Sequence, residues 1–214
     1  MDIAASRRSA ATGTPGSGHL PRPRIEGDRE SEILDAALGL LATSGYDRLT
    51  MDAVATAAKA SKATLYRRWD SKADLVMDAL TRGKDAPTLE QVDTGSFRGD
   101  LIAMACDHGG INDERVLAVT ASIITALHHD REFADAFHER LVRVKVEQAR
   151  EVYARAQARG EVAADADVDI IAPTLAAIIL HRAFVLRLPV DDLTVLRIID
   201  HVVIPAATHG APNS

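Results

Sequence analysis

The chain has 214 residues, 47% of them hydrophobic, a formal net charge of −6 and one cysteine, Cys106. That length holds one sizeable core, or two unequal cores sharing an interface. The single cysteine excludes an internal disulfide framework and fits a reducing compartment. Residues 1–23 lack the apolar centre of a signal peptide, and the longest apolar run is broken by His181, Arg182 and Arg187. A cytoplasmic protein with no membrane partner is therefore expected.

Residues 1–24, rich in Gly, Pro and Ser, read as a disordered arm. Its Arg22 and Arg24 either reach a phosphate or the minor groove, or belong to a solvated tail. A first helix spans 29–43, with Ile33, Ala37, Leu40 and Leu41 inward and Gly45 ending it. A second begins at Thr50, whose hydroxyl caps it, and turns Ala53, Val54 and Ala57 to one face. Lys59-Ala60 makes the turn and Ser61 caps a third helix. There Leu65 and Trp69 point inward, Ala63, Tyr66 and Arg67 outward, and Lys62 and Thr64 occupy the exposed first turn. Ser71 caps a fourth helix through Leu75, Val76 and Leu80. Charge follows this layout: residues 1–80 carry 11 basic and 11 acidic side chains, whereas 81–214 carry 14 and 20. Within 59–72, five cations (Lys59, Lys62, Arg67, Arg68, Lys72) face Asp70 alone. A basic spot on an acidic body suits a small head that touches DNA while the body stays off the phosphates.

A connector over 83–96 leads to further helices at 101–108, 112–128 and 131–159, the last roughly 40 Å long at 1.5 Å per residue. Its inward seam is Phe133, Phe137, Leu141, Val144 and Val152, with Glu139 and Arg143 paired on the wet side and Gly160 as C-terminal cap. The helices at 168–188 and 191–204 are apolar nearly all round. One stripe would bury each of them in its own chain. The surplus (Ile171, Leu175, Ile178, Ile179, Leu193, Leu196, Ile199, Val203) is expected to meet a second copy. The expected fold is all-α with about nine helices: a three-helix helix-turn-helix head over 25–81 (motif 50–69), a larger helical body over 82–208, and a disordered tail at 209–214.

Thr50, Val54-Ala55, Lys59-Ala60, Ser61, Ala63, Thr64-Leu65-Tyr66, Trp69 and Lys72 stand in the register of the TetR family of bacterial transcriptional regulators, and the segment 29–80 resembles that family's DNA-binding domain. The Ala-Arg-Gly-Glu turn at 158–161 and the two apolar terminal helices are similar to its ligand-binding half. The resemblance implies a homodimeric regulator, in most cases a repressor, that binds a pseudo-palindromic operator and is released by a small-molecule effector. It implies phosphate contacts from Thr50, Tyr66 and Lys72, and base contacts from Lys62, Thr64, Arg67 and Arg68. Two positions depart from the family pattern. Lys59 stands where glycine is usual, and Ala63 adds a methyl suited to a thymine methyl.

An effector site would draw on inward groups of the body: Met104, His108, Ile124, His128, Phe137, Tyr153, His181 and Phe184. Each is equally readable as ordinary core. Arg182 either pairs with an acid or recognises an anionic effector. A metal-sensing alternative would use Cys106, His108, His128, His129 and His138, but no pair has a dedicated ligand spacing. A small-molecule carrier with a vestigial head is the other alternative. No phosphate loop, nucleophile elbow or HExxH motif is present, so no enzyme, cofactor or metal is expected.

Overall fold

Hydroxyl and carboxylate side chains at the helix starts set the register of the computed structural model, which describes residues 26–82, 92–105 and 112–209. The N-terminal arm, most of the connector, Cys106, His108 and residues 210–214 lie outside the described residues. The head comprises α1 (Glu26–Ser44), α2 (Met51–Ala57), α3 (Lys62–Tyr66) and α4 (Lys72–Thr81). Thr50, Ser61 and Ser71 each adopt extended backbone and accept from the amide three residues on, which satisfies one otherwise orphaned donor per helix. Ile33, Ala37 and Leu41 are buried on α1, with Leu40 at the edge of the core. The buried face of α2 is Met51, Val54, Ala55 and Ala58, whereas Ala57 is exposed. Of the expected face Val54 is buried and Ala53 half-buried, and only Ala57 is out of place, because alanines carry no phase signal. Met51, the one large anchor, decides it.

Lys59 closes the α2–α3 turn at φ +52°, a left-handed conformation that disfavours an L-residue by about 1–2 kcal/mol. The Arg29 guanidinium donates to its carbonyl and ties the turn to α1. Lys59→Gly is expected to stabilise the protein by up to about 1 kcal/mol once glycine's greater chain entropy is subtracted. Thermal unfolding checks this, and an unchanged or lower midpoint would mean that the turn stores no strain.

The body comprises α5 (Phe97–Ala105), α6 (Glu114–His129), α7 (Arg131–Phe137), α8 (Arg143–Ala158), α9 (Val168–Ile171), α10 (Thr174–Leu180), α11 (Asp192–Ile198) and α12 (Ile204–Thr208). A π-turn at His138–Val142 joins α7 to α8, a second (His181–Leu186) extends α10, and a third (Ile199–Val203) joins α11 to α12. Taken as continuous rods, with α9 and α10 forming one helix over Val168–Leu186, the described residues form nine helices. α5 starts four residues earlier than expected, because the Ser96 hydroxyl accepts from the Gly99 amide at 3.1 Å. Asp113, Asp130, Asp167 and Asp191 cap α6, α7, α9 and α11.

Two hydrophobic cores result, and their boundary does not follow the connector. The first joins α1–α4 to Ala126 of α6 and Phe133 of α7, with Phe137 and Leu141 packed against it. The second gathers Phe97, Leu101, Val152, Tyr153, Ile171, Ile179, Ile198, Ile199 and Val203. The long helix serves both, and the π-turn between them adds the residue that changes its facing side. Val144, expected inward, lies just past that turn and is exposed. Glu139 and Arg143 pair at 2.8 Å as expected.

The rod Val168–Leu186 is long and apolar enough, by length and composition, to cross a membrane. Of the three residues expected to break this run, His181 and Arg182 do not stop the helix, and it ends only at Arg187, with φ +54°. Only 11% of its apolar window is buried within the chain.

Candidate nucleic-acid interface

Leu65 and Trp69 are buried beneath α3, at 0% and 3% exposure, while Tyr66 stands 54% exposed. Lys62, Ala63, Arg67 and Arg68 are exposed with it, and Thr64 is half-buried. One side of a single helical turn is thus nailed to the core and the other presents Tyr66 and Arg67 to solvent. Thr50 is exposed at the start of α2, and its hydroxyl oxygen accepts from the Ala53 amide at 3.1 Å. That bond uses a lone pair, so the hydroxyl hydrogen stays available to a phosphate oxygen.

Local partners divide the cations sharply. The Lys62 ammonium donates to Asp52 on α2 at 2.5 Å, a bond that also raises its pKa. Arg68 lies 3.3 Å from Glu30, and its guanidinium stands 5.9 Å from the Trp69 ring centroid. Lys72, half-buried, donates to the Tyr46 carbonyl at 3.2 Å and sits 3.9 Å from that ring's centroid. Among the described residues the Arg67 side chain has neither an acidic nor a hydrogen-bond partner, its backbone amide donating to the Ala63 carbonyl, so of the predicted readers it is the one whose five side-chain donors are all unengaged. The ion pairs of Lys62 and Arg68 are more than a third exposed at both partners. Such pairs contribute about 0–1 kcal/mol and yield readily to a phosphate.

Sequence reasoning missed the contacts that hold this head on its body. The Ser122 hydroxyl of α6 accepts from the Tyr46 amide at 2.8 Å. The Tyr46 and Phe133 rings lie 4.4 Å apart, and Phe133 in turn lies 6.0 Å from Phe137. Burial, reinforced by Asp130, pushes the Tyr46 phenol up. α4 is therefore one of several links between head and body. The tight Gly45 turn at φ +80° before Tyr46 was the available hint.

The eight candidate effector residues are not brought together. Ile124, His128 and His181 are exposed, and Phe137 packs on the head core. Met104 and Phe184 are half-buried, Tyr153 is fully buried, and His108 lies outside the described residues. An open groove of about 400 Å³ lies within the head instead, between α1 and α4 and lined by Glu30, Asp78 and Arg82, and one of about 420 Å³ lies at the head–body junction, lined by Tyr46, Ser122 and Thr125. Of the predicted dimer face, Ile171, Ile179, Ile199 and Val203 belong to the chain's own core. Leu175, Ile178 and Leu196 are half-buried, and Leu193 is exposed. Over the terminal helical segment 168–204 the exposed large apolar side chains are Ile170, Val185, Leu186, Leu188, Leu193 and Val202. A helix apolar all round gives no sequence clue to which stripe faces home.

A family model described as "Bacterial regulatory proteins, tetR family" matches residues 33–79, and one described as "Tetracyclin repressor-like, C-terminal domain" matches residues 91–202. The chain is similar to the DNA-binding transcriptional repressor TetR of Mycobacteroides abscessus, with 35% identity over 86% of this chain and 96% of that protein. It is also similar to the uncharacterized HTH-type transcriptional regulator YdeS of Bacillus subtilis, with 31% identity over 80% and 85% of the two chains. Among solved structures, a TetR family transcription regulator matches with 27% identity and a TM-score of 0.58, covering 82% of this chain and 97% of that one. The fatty acid degradation regulator FadR from Bacillus halodurans shares the fold at 15% identity and a TM-score of 0.67, over 85% and 97% of the chains.

Proposed function

The chain belongs to the TetR family of bacterial regulatory proteins and is a DNA-binding transcriptional regulator, and from that premise we propose that it represses as a homodimer, reading a pseudo-palindromic operator with α3. The observation that carries this reading is the exposure of Tyr66 and Arg67 above the buried Leu65 and Trp69. Thr50, Tyr66 and Lys72 hold phosphates and set register. Arg67 reads a base edge, Ala63 meets a thymine methyl, and Lys62, Thr64 and Arg68 contribute once their local partners yield. The head is the segment 25–81 and the regulatory body 82–208, working in the cytoplasm where the operator lies.

The second copy covers Ile170, Val185, Leu186, Leu193 and Val202, which are too apolar to leave in water. A small-molecule effector binds the second core beside Met104 and Tyr153. The Tyr153 hydroxyl is buried, with no hydrogen-bond partner among the described residues, and burial pushes its pKa up to about 12. It is a neutral donor suited to a ligand's acceptor atom.

Fluorescence anisotropy on duplex DNA from beside the protein's own gene tests the reading. Arg67→Ala is expected to lose about 1–3 kcal/mol, roughly 5- to 150-fold, and to relax specificity at one base position. Tyr66→Phe should weaken all sequences alike. Affinity unchanged in both variants would contradict the assigned face.

A further inference from the structure

Asp78, near the end of α4, divides its carboxylate between the two halves of the molecule. Oδ2 accepts from the Trp69 indole Nε1 at 2.8 Å, and Oδ1 accepts from the Arg140 guanidinium at 2.5 Å. Trp69 follows Arg67 by two residues and is the buried anchor of the reading turn. Arg140 belongs to the π-turn at which the long helix passes from the head core to the body core. We propose that Asp78 is a positioning residue for DNA recognition, transmitting the setting of the body's π-turn through Trp69 to Arg67. This rests on the reading of α3 as the DNA-contacting element.

The chemistry restricts what else this contact can do. An indole has a single donor, and the Trp69 ring is buried, so Asp78 fixes the ring's rotation as well as its depth. The Arg140–Asp78 bond is charge-assisted and partly shielded, with side-chain exposures of 36% and 25%. α4 is already held by Ala73, Leu75, Val76, Met77 and Leu80 in the apolar core, so the carboxylate adds orientation to an element that is packed without it. π-turns recur where helices have a functional irregularity. Here a displacement of the turn pulls on Oδ1 and is felt at Oδ2. Two arrangements of the turn would then give two settings of the reading face, which is the physical requirement for regulation from a distance.

Trp69 is the only tryptophan in the chain, so its emission reports this contact directly in the full-length protein. Arg140→Gln, at a partly exposed position, is expected to shift Trp69 emission in the absence of DNA. It should also lower operator affinity about five- to tenfold while leaving the salt dependence of binding to random duplex unchanged, because no phosphate contact is lost. In a double-mutant cycle its effect should vanish when Arg67 is already alanine. Arg143→Gln, on the same helix but paired with Glu139 and Glu147, should change none of these. Wild-type emission and operator affinity in Arg140→Gln, or additivity with Arg67→Ala, would overturn the proposal. Failure of the wild type to bind any duplex would instead overturn the DNA-binding reading beneath it, and the emission arm separates the two.

Discussion

Val185→Asp combined with Leu193→Asp is expected to yield a folded monomer and to lower operator affinity about 10²–10⁴-fold. Both side chains are more than 60% exposed in the isolated chain, at 67% and 63%, on the two terminal rods. Burying each against a second copy contributes about 1.5–3 kcal/mol, and a carboxylate there would instead have to be desolvated without a partner. Operator binding follows dimerisation because two reading turns must meet half-sites about 34–36 Å apart, or a multiple of that. A lone head carries few phosphate contacts and loses the effective concentration that its tethered twin supplies. Sedimentation and anisotropy on the same preparation check both halves of the expectation. A dimer that persists in the variant would place the interface elsewhere.

Asp100→Ala is expected to destabilise the body by about 3–5 kcal/mol, a large share of the roughly 5–15 kcal/mol that holds a domain together. Asp100 has no exposed surface. It accepts from the Thr94 amide and hydroxyl, both at 2.7 Å, and from Arg159 at 3.1 Å, with Arg155 at 3.8 Å. Glu161 accepts from the Phe97 amide and from Arg159, each at 2.5 Å, so the start of α5 is bolted to the end of α8. Removing the carboxylate takes a shared counter-charge from two arginines. Burial alone would raise the Asp100 pKa, but the bonds from Thr94 and then Arg159 outweigh it and hold the group below 3.8. Glu161 is also held below its ordinary 4.5, by the Phe97 amide and then Arg159. Both groups titrate lower in the native chain than in the unfolded one. Their contribution is present above those ordinary values and is lost as pH falls through the native ones. Wild-type stability should therefore drop on acidification below about pH 4, and more steeply than that of Asp100→Ala. Thermal melts at neutral and acid pH check this, and parallel pH curves for the two proteins would contradict it.

The exposed face of α3 was legible because its signals are local. A hydroxyl three residues before its amide partner marks each cap, and Leu65 and Trp69, four apart, fix which side of α3 turns in. Partnerships at long range left no such trace. Asp52 and Lys62 are ten residues apart, Asp78 and Arg140 sixty-two, and Asp100 and Arg159 fifty-nine. In sequence each of these acids looks like solvated surface. Phase was the other loss. π-turns at 138–142, 181–186 and 199–203 each insert a residue that shifts the facing side, and no composition signal marks them. Ile171, Ile179, Ile199 and Val203 pack at home while Ile170, Val185 and Leu193 remain outside, a split that equally apolar neighbours in sequence do not signal. The effector residues stayed illegible because an apolar pocket and an apolar core use the same side chains.

In-vitro selection of the wild-type protein and Arg67→Ala from random-sequence duplex DNA tests the central claim most directly. The account predicts that the wild type enriches a two-fold symmetric sequence whose half-sites share a guanine, and that the variant loses preference at that guanine alone. Enrichment of nothing, of an asymmetric site, or of an identical site by both proteins would contradict it.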